Sequence, residues 1–212
     1  MTRVKICGTT NLDDALFAAD CGADAIGFVF ADSPRRIDFD KAAAIADAVP
    51  AFVARVGVFV NAPVKLVADC LARFLDYAQL HGDESPAECE ELARCRGRGR
   101  IIKAFRIYER SDLDNLGRYG DVAGLFLLDT SVPGKAGGTG QTFDWHIAID
   151  AKPWGKPIVL SGGLTPDNVA EAVTQVRPYA VDVSSGVESA PGVKDREKVR
   201  EFVRRAKQIS TE

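Results

Sequence analysis

A chain of 212 residues is long enough to bury well over half of the surface its unfolded form exposes, which suits one large domain. With 46% hydrophobic and 27% charged residues it has the composition of a globular protein, which excludes a disordered tail or a fibrous repeat. The net charge of -3 is small and its signs are interspersed, so there is no electrostatic footprint for nucleic acid or an anionic membrane, and an anionic ligand must be held locally.

The chain opens MTRVKICGTTN and reaches a strand at residues 4–6 without the charged leader and long apolar stretch of a signal peptide. Leu12, Ala15, Leu16 and Ala19 follow at helical spacing, then a strand over 25–30, a helix over 41–48 and a strand over 53–60. A strand over 77–80 precedes Ser85-Pro86, a cap residue before a first-turn proline, and strands over 101–105 and 125–128 come next. A strand over 158–160, a second helix start at Thr165-Pro166 and a strand over 180–183 complete eight βα units. AIGFVF and GLFLLD are apolar at nearly every position, the mark of strands covered on both faces, whereas a β-sandwich would alternate.

The predicted fold is α/β: a single-domain (β/α)8 TIM barrel over residues 1–212 with a parallel eight-stranded sheet. An open doubly wound sheet is the rival, but the first strand ends in Cys7-Gly8-Thr9-Thr10 and not in a GxGxxG turn. No linker divides the chain, and no run approaches the roughly 20 apolar residues of a membrane span. The five cysteines, Cys7, Cys21, Cys70, Cys89 and Cys95, are an odd number without CxxC spacing, as expected of free thiols in a reducing cytoplasm.

In such barrels the site lies past the C-terminal strand ends. Those positions hold Cys7, Arg35 and Arg36, Asn61, His81, Arg106, Asp129 and the turns Ser161-Gly162-Gly163 and Ser184-Ser185-Gly186. Glycines at the last two let backbone N–H groups cradle an anion, a recurring use of loops seven and eight; alone, either turn is no more than a tight connection. Cysteine is usually inert packing, the default for the other four, but Cys7 at a strand end near Lys5 is expected to have its thiol depressed toward thiolate. Asp129 after LFLL is expected to be a half-desolvated general acid, with a helix cap or a partner for Lys135 as the plain alternative. The glycine-rich segment 133–141 reads as a substrate loop and lacks a P-loop motif. Arg35 and Arg36 after Asp32-Ser33-Pro34 offer a carboxylate clamp or solvated surface charge. His81 either lines the pocket or fixes the fourth loop, and His146 is expected to face solvent.

Together VKICGTT, DAIGFVF, SPRR, VGVFVN, QLHGDE, LLDT, GGTGQTFDW, VLSGGL and AVDVSSGVE resemble the phosphoribosylanthranilate isomerases along essentially the whole chain. The resemblance implies that Cys7 is the general base and Asp129 the general acid of an Amadori rearrangement in tryptophan biosynthesis. It assigns the phosphate to Gly162, Gly163, Ser184, Ser185 and Gly186. Arg36 is the choice for the anthranilate carboxylate and Arg35 the fallback; Ser161, Asp182, His81 and Gly138 complete the substrate-binding set. It implies a phosphorylated small-molecule substrate, no metal and no organic cofactor, and a monomer or homodimer. Gln141 stands where the family also carries lysine.

Two readings compete. A sugar-phosphate epimerase on the same barrel would need histidines and carboxylates paired on a metal at strand ends, and only His81 is available. A silent barrel that merely binds a phosphorylated ligand would have no use for both Cys7 and Asp129.

Overall fold

The computed structural model describes residues 1–129 and 145–208, and its centre is a closed barrel of parallel strands joined in sequence order. The strands are β1 (Arg3–Ile6), β2 (Ala25–Val29), β3 (Ala54–Phe59), β4 (Tyr77–Leu80), β5 (Ile101–Arg106), β6 (Leu125–Asp129), β7 (Ile158–Ser161) and β8 (Ala180–Val183). Every boundary falls within one residue of the run expected from sequence. β8 closes the ring on β1, with Val4 opposite Val181 and Lys5 opposite Asp182.

Around the barrel run α1 (Leu12–Asp20), α2 (Phe39–Ala48), α3 (Val64–Arg73), α4 (Pro86–Arg96), α5 (His146–Asp150), α6 (Val169–Val176) and α7 (Arg196–Lys207), and a 3-10 helix at Arg110–Tyr119 fills the place between β5 and β6. None of the described helices is long and apolar enough to cross a membrane. The Ser85-Pro86 start is as expected: the Ser85 hydroxyl accepts from the Glu88 amide while the Glu88 carboxylate accepts from the Ser85 amide. Thr165-Pro166 is different, because α6 begins only after Asn168. The Asn168 side chain accepts from the Thr165 amide and donates to the Gly163 carbonyl, so residues 165–168 form a turn that braces the loop after β7.

Along each strand alternate side chains part company. Val4, Ile6, Phe126, Leu128, Ile158, Leu160, Val181 and Val183 join the main core against the helices. Val56, Ile102, Ala104, Leu127, Val159 and Ala180 form a second cluster of strand residues alone, the filling of the barrel itself. The two-residue period therefore places Lys5, Cys7, Gln79, His81, Asp129, Ser161 and Asp182 on the inward face, above that filling. Beyond β8 the chain makes a hairpin that the sequence reading lacked, β9 (Glu188–Ala190) with β10 (Val193–Lys194).

Candidate active site

At the C-terminal mouth of the barrel is a cavity of about 610 Å3. Cys7, Gln79, His81, Asp129 and Asp182 line it together with the turns Ser161-Gly162-Gly163 and Ser184-Ser185-Gly186. Of the expected residues, Gly138 and the whole segment 133–141 lie outside the described residues.

Cys7 continues the β1–β8 ladder past the strand, its amide donating to the Val183 carbonyl at 2.8 Å. Its side chain fits because β2 has Gly27 beside it: a Cβ there would stand 2.8 Å from Cys7 Sγ. Burial pushes the Cys7 thiol up, and the neighbouring Lys5 ammonium only partly offsets this. The thiol is thus not depressed toward thiolate as expected, since nearness to Lys5 was visible in sequence but the depth of burial was not. Lys5 pays its own desolvation, yet Asp182 and Cys7 outweigh it and hold the ammonium above its ordinary range.

A continuous polar chain crosses the barrel mouth. Lys5 Nζ donates to Asp182 Oδ1 at 2.8 Å and to Gln79 Oε1 at 2.9 Å, and Ser161 Oγ donates to Asp182 Oδ2 at 3.0 Å. Gln79 Nε2 lies 2.9 Å from His81 Nδ1, and His81 Nε2 lies 3.1 Å from Asp129 Oδ2. The strand carrying the candidate acid is in this way linked to the strand carrying the candidate base. Buried polar groups are tolerated when each finds a partner, and here each does.

The turn after β7 depends on Gly162 and Gly163 at φ 89° and 65°, left-handed values that a residue with a Cβ seldom adopts. Across from it the Ser184 hydroxyl is buried without a hydrogen-bond partner among the described residues. The two arginines separate clearly. Arg35 lines the cavity wall, but its Nε and Nη2 donate to both oxygens of Glu188 at 2.7–3.0 Å. Arg36 pairs its backbone with Val29 at the top of β2, is exposed, and its guanidinium has no partner among the described residues. It is not among the residues lining the cavity.

Four further residues escaped the sequence reading as site residues. Glu188 and Lys194 of the β9–β10 hairpin meet at 3.0 Å, and buried Lys194 Nζ also donates to the carbonyls of Cys7 at 2.6 Å and Ser184 at 3.3 Å. Burial opposes the charge of Glu188, but Arg35 and Lys194 hold its carboxyl below the ordinary range; Lys194 is itself pushed down by burial against the pull of Glu188. Gln79 and Gly27 are the others; a lone polar residue in an apolar strand was the available signal for Gln79. Asn61 and Arg106 are not among the residues that line this cavity: the Asn61 amide and side chain brace the loop after β4 through Glu84 and Asp83, and Arg106, exposed and in register with Asp129, lines a neighbouring hollow with His81. His146 is exposed, as expected, whereas Cys95, expected as packing, is exposed too.

Residues 4–205 match the family model described as N-(5'-phosphoribosyl)anthranilate isomerase. The chain belongs to this family. A phosphoribosylanthranilate isomerase of Geobacter sulfurreducens is 55% identical over 209 residues, covering 98% of this chain and 99% of the relative. The crystal structure of the isomerase from Thermotoga maritima is 44% identical, with a TM-score of 0.91 over 99% of this chain and all of that one. An isomerase structure in complex with reduced 1-(o-carboxyphenylamino)-1-deoxyribulose 5-phosphate superposes with a TM-score of 0.87 at 41% identity, covering 99% of this chain and 100% of that one. A structure of monomers generated from the dimeric Thermotoga maritima isomerase gives 0.86 at 41% identity, with the same coverage.

Proposed function

We infer that Cys7 and Asp129 are the base and the acid with which this phosphoribosylanthranilate isomerase of tryptophan biosynthesis carries out its Amadori rearrangement. The observation that carries the assignment is that both line one cavity, from β1 and from β6, with the two phosphate-type turns on the same rim. The reaction needs groups at two places because one proton leaves carbon while another reaches oxygen. Asp129 gives its proton to the ribose ring oxygen as the C1–O bond breaks, and the anilino nitrogen lone pair forms the C=N bond of a Schiff base. Cys7 then takes the C2 proton, the electron pair of that C–H bond becomes the C1=C2 bond, and the nitrogen recovers its lone pair. A proton then returns from the Cys7 thiol to C1 while the C2 hydroxyl gives its proton to Asp129, which converts this enolamine to the 2-ketone and restores both groups.

The substrate phosphate sits against Gly162, Gly163, Ser184, Ser185 and Gly186, where left-handed glycines and a buried hydroxyl present donors. The anthranilate carboxylate goes to Arg36, because Arg35 is consumed by Glu188 while Arg36 is unpaired among the described residues. Asp182, paired with Lys5, and Ser161, which donates to Asp182, act behind the substrate, and Gly138 remains assigned to the substrate loop by resemblance. The enzyme works in the cytoplasm, where its cysteines stay free thiols.

Of the two states expected, monomer or homodimer, we propose the homodimer, with its two-fold contact at the opposite, N-terminal mouth. There Phe52 stands fully exposed beside a cavity of about 230 Å3 that it lines with Tyr77 and Tyr179.

The deciding assay follows the fluorescence decay of freshly generated phosphoribosylanthranilate with wild type, Cys7→Ser and Asp129→Asn, each checked for folding by circular dichroism. Wild type should consume the substrate and both folded variants should lose at least 1000-fold in kcat, within the range expected for removing a general acid or base. A folded variant that keeps substantial activity sinks the role given to that residue.

A further inference from the structure

The Lys5 ammonium has three N–H donors and no acceptor. The Gln79 atom 2.9 Å from it must then be the carbonyl oxygen, which fixes the orientation of the whole amide. Its NH2 group is thereby turned to His81 Nδ1, 2.9 Å away. An amide nitrogen donates and does not accept, so Nδ1 presents its lone pair and the ring proton sits on Nε2. That Nε2–H is aimed at Asp129 Oδ2, 3.1 Å away.

We propose that Gln79 is a positioning residue: anchored on Lys5, it holds His81 in the neutral Nε2–H tautomer, and His81 in turn orients Asp129. Because Oδ2 accepts from His81, the acid carries its transferable proton on Oδ1. The charge of Lys5, held by Asp182 at 2.8 Å beside Cys7, is thus read across the barrel as a direction of hydrogen bonding. Only an amide serves. Gln79 is buried, and a hydrocarbon there would leave Lys5 one partner short and the ring free to turn. A glutamate would still accept from Lys5, but its second oxygen would draw a proton onto Nδ1. The Nε2 lone pair would then face a carboxylate, or the ring would become a cation.

The positioning role rests on Asp129 being the acid, whereas the tautomer can be read without turnover. The chain has two histidines, His81 and His146, so the ring signals of His81 are assigned by difference in a His146→Asn background. Long-range 1H–15N correlation of uniformly labelled protein at neutral pH should show wild-type His81 protonated on Nε2 alone. In Gln79→Glu the proton should appear on Nδ1, with or without one on Nε2, and Gln79→Met should lose the single-tautomer pattern. Both variants should lose about 10- to 100-fold in kcat, with KM within about threefold, the cost of a misplaced catalytic group. A wild-type ring protonated on Nδ1, or a Gln79→Glu ring identical to wild type, overturns the role of Gln79 even if Asp129→Asn is inactive. An Asp129→Asn variant with full activity overturns the acid, and any positioning of it falls too. If Gln79→Glu does not fold, the wild-type ring pattern alone decides.

Discussion

At the scale of single residues, the environment of Cys7 sets how the enzyme responds to pH. Burial raises the thiol above its ordinary range, so at neutral pH most free enzyme carries the neutral thiol and only a small fraction the thiolate base. Because the reaction needs the Cys7 thiolate together with a protonated Asp129, kcat/KM should follow the product of those two fractions. It should rise through the carboxyl pKa, stay level up to the raised thiol pKa and fall beyond it. An alkaline fall that begins below the ordinary thiol pKa of about 8.5 would count against Cys7 as the base. The same shift acts on stability with a definite sign. The folded thiol keeps its proton longer than the unfolded one, so its contribution is complete below about pH 8.5 and is lost as pH rises further. The two arginines make a second residue-level contrast. Arg36→Lys keeps the charge but loses a bidentate fork, and should raise KM about 10- to 100-fold with little change in kcat, the worth of about 1.5–3 kcal/mol for a hydrogen bond to a charged group. Arg35→Lys should instead lower the melting temperature, because it breaks the double contact with buried Glu188. Steady-state kinetics and a thermal melt on both variants separate binding from scaffold; the reverse pattern would exchange their roles.

At the scale of elements, the β9–β10 hairpin is a clamp under the site. Lys194 reaches from β10 to the carbonyls of Cys7 and Ser184, so one buried ammonium holds the turn of the proposed base and the turn proposed for the phosphate together. Lys194→Met leaves buried Glu188 with Arg35 as its one cationic partner among the described residues and deprives two carbonyls of a donor, and should cost about 3–5 kcal/mol in urea unfolding, the range for breaking a buried ion pair from one side. A loss below about 1 kcal/mol would show that the hairpin is not a clamp. This element also marks where sequence reading stopped. The eight barrel strands were legible because helices on one side and barrel filling on the other make them apolar throughout, with glycine, proline, aspartate or asparagine at the joins. The same apolar continuity hid which positions face inward, except where Lys5, Gln79 and Asp182 interrupt it. The hairpin was lost because its strands, Glu188–Ala190 and Val193–Lys194, are too short to show a two-residue period around Pro191-Gly192. Gln79 was legible as an oddity but not as a relay, since its partner Lys5 lies 74 positions away. Thr165-Pro166 misled for a local reason: the Asn168 side chain offers the Thr165 amide and the Gly163 carbonyl better partners than a first helical turn would.

At the scale of the whole molecule, the barrel has two mouths with opposite chemistry. The C-terminal mouth gathers Cys7, Asp182, His81 and Asp129, while the N-terminal mouth shows Phe52 and Tyr179 to solvent. Phe52 lies in the connection from α2 to β3, and the hollow beside it is walled by strand starts, among them Ala54, Tyr77, Leu125 and Tyr179. A protruding ring next to a hollow of its own lining is self-complementary, which is what an isologous two-fold contact requires: each copy gives its phenylalanine and receives the partner's. Burying two such rings is worth about 1.5–3 kcal/mol each before the rest of the interface is counted. Because the proposed contact is at the far end from the candidate site, association there should support the fold without supplying a catalytic group. Phe52→Glu should therefore sediment as a monomer at concentrations where wild type is a dimer, and its kcat should stay within about twofold of wild type. The wild-type melting temperature should climb with protein concentration and that of the variant should not, since only a folded dimer is favoured by mass action. A wild-type protein that sediments as a monomer at every concentration, or a Phe52→Glu variant that remains dimeric, would remove this face from the interface.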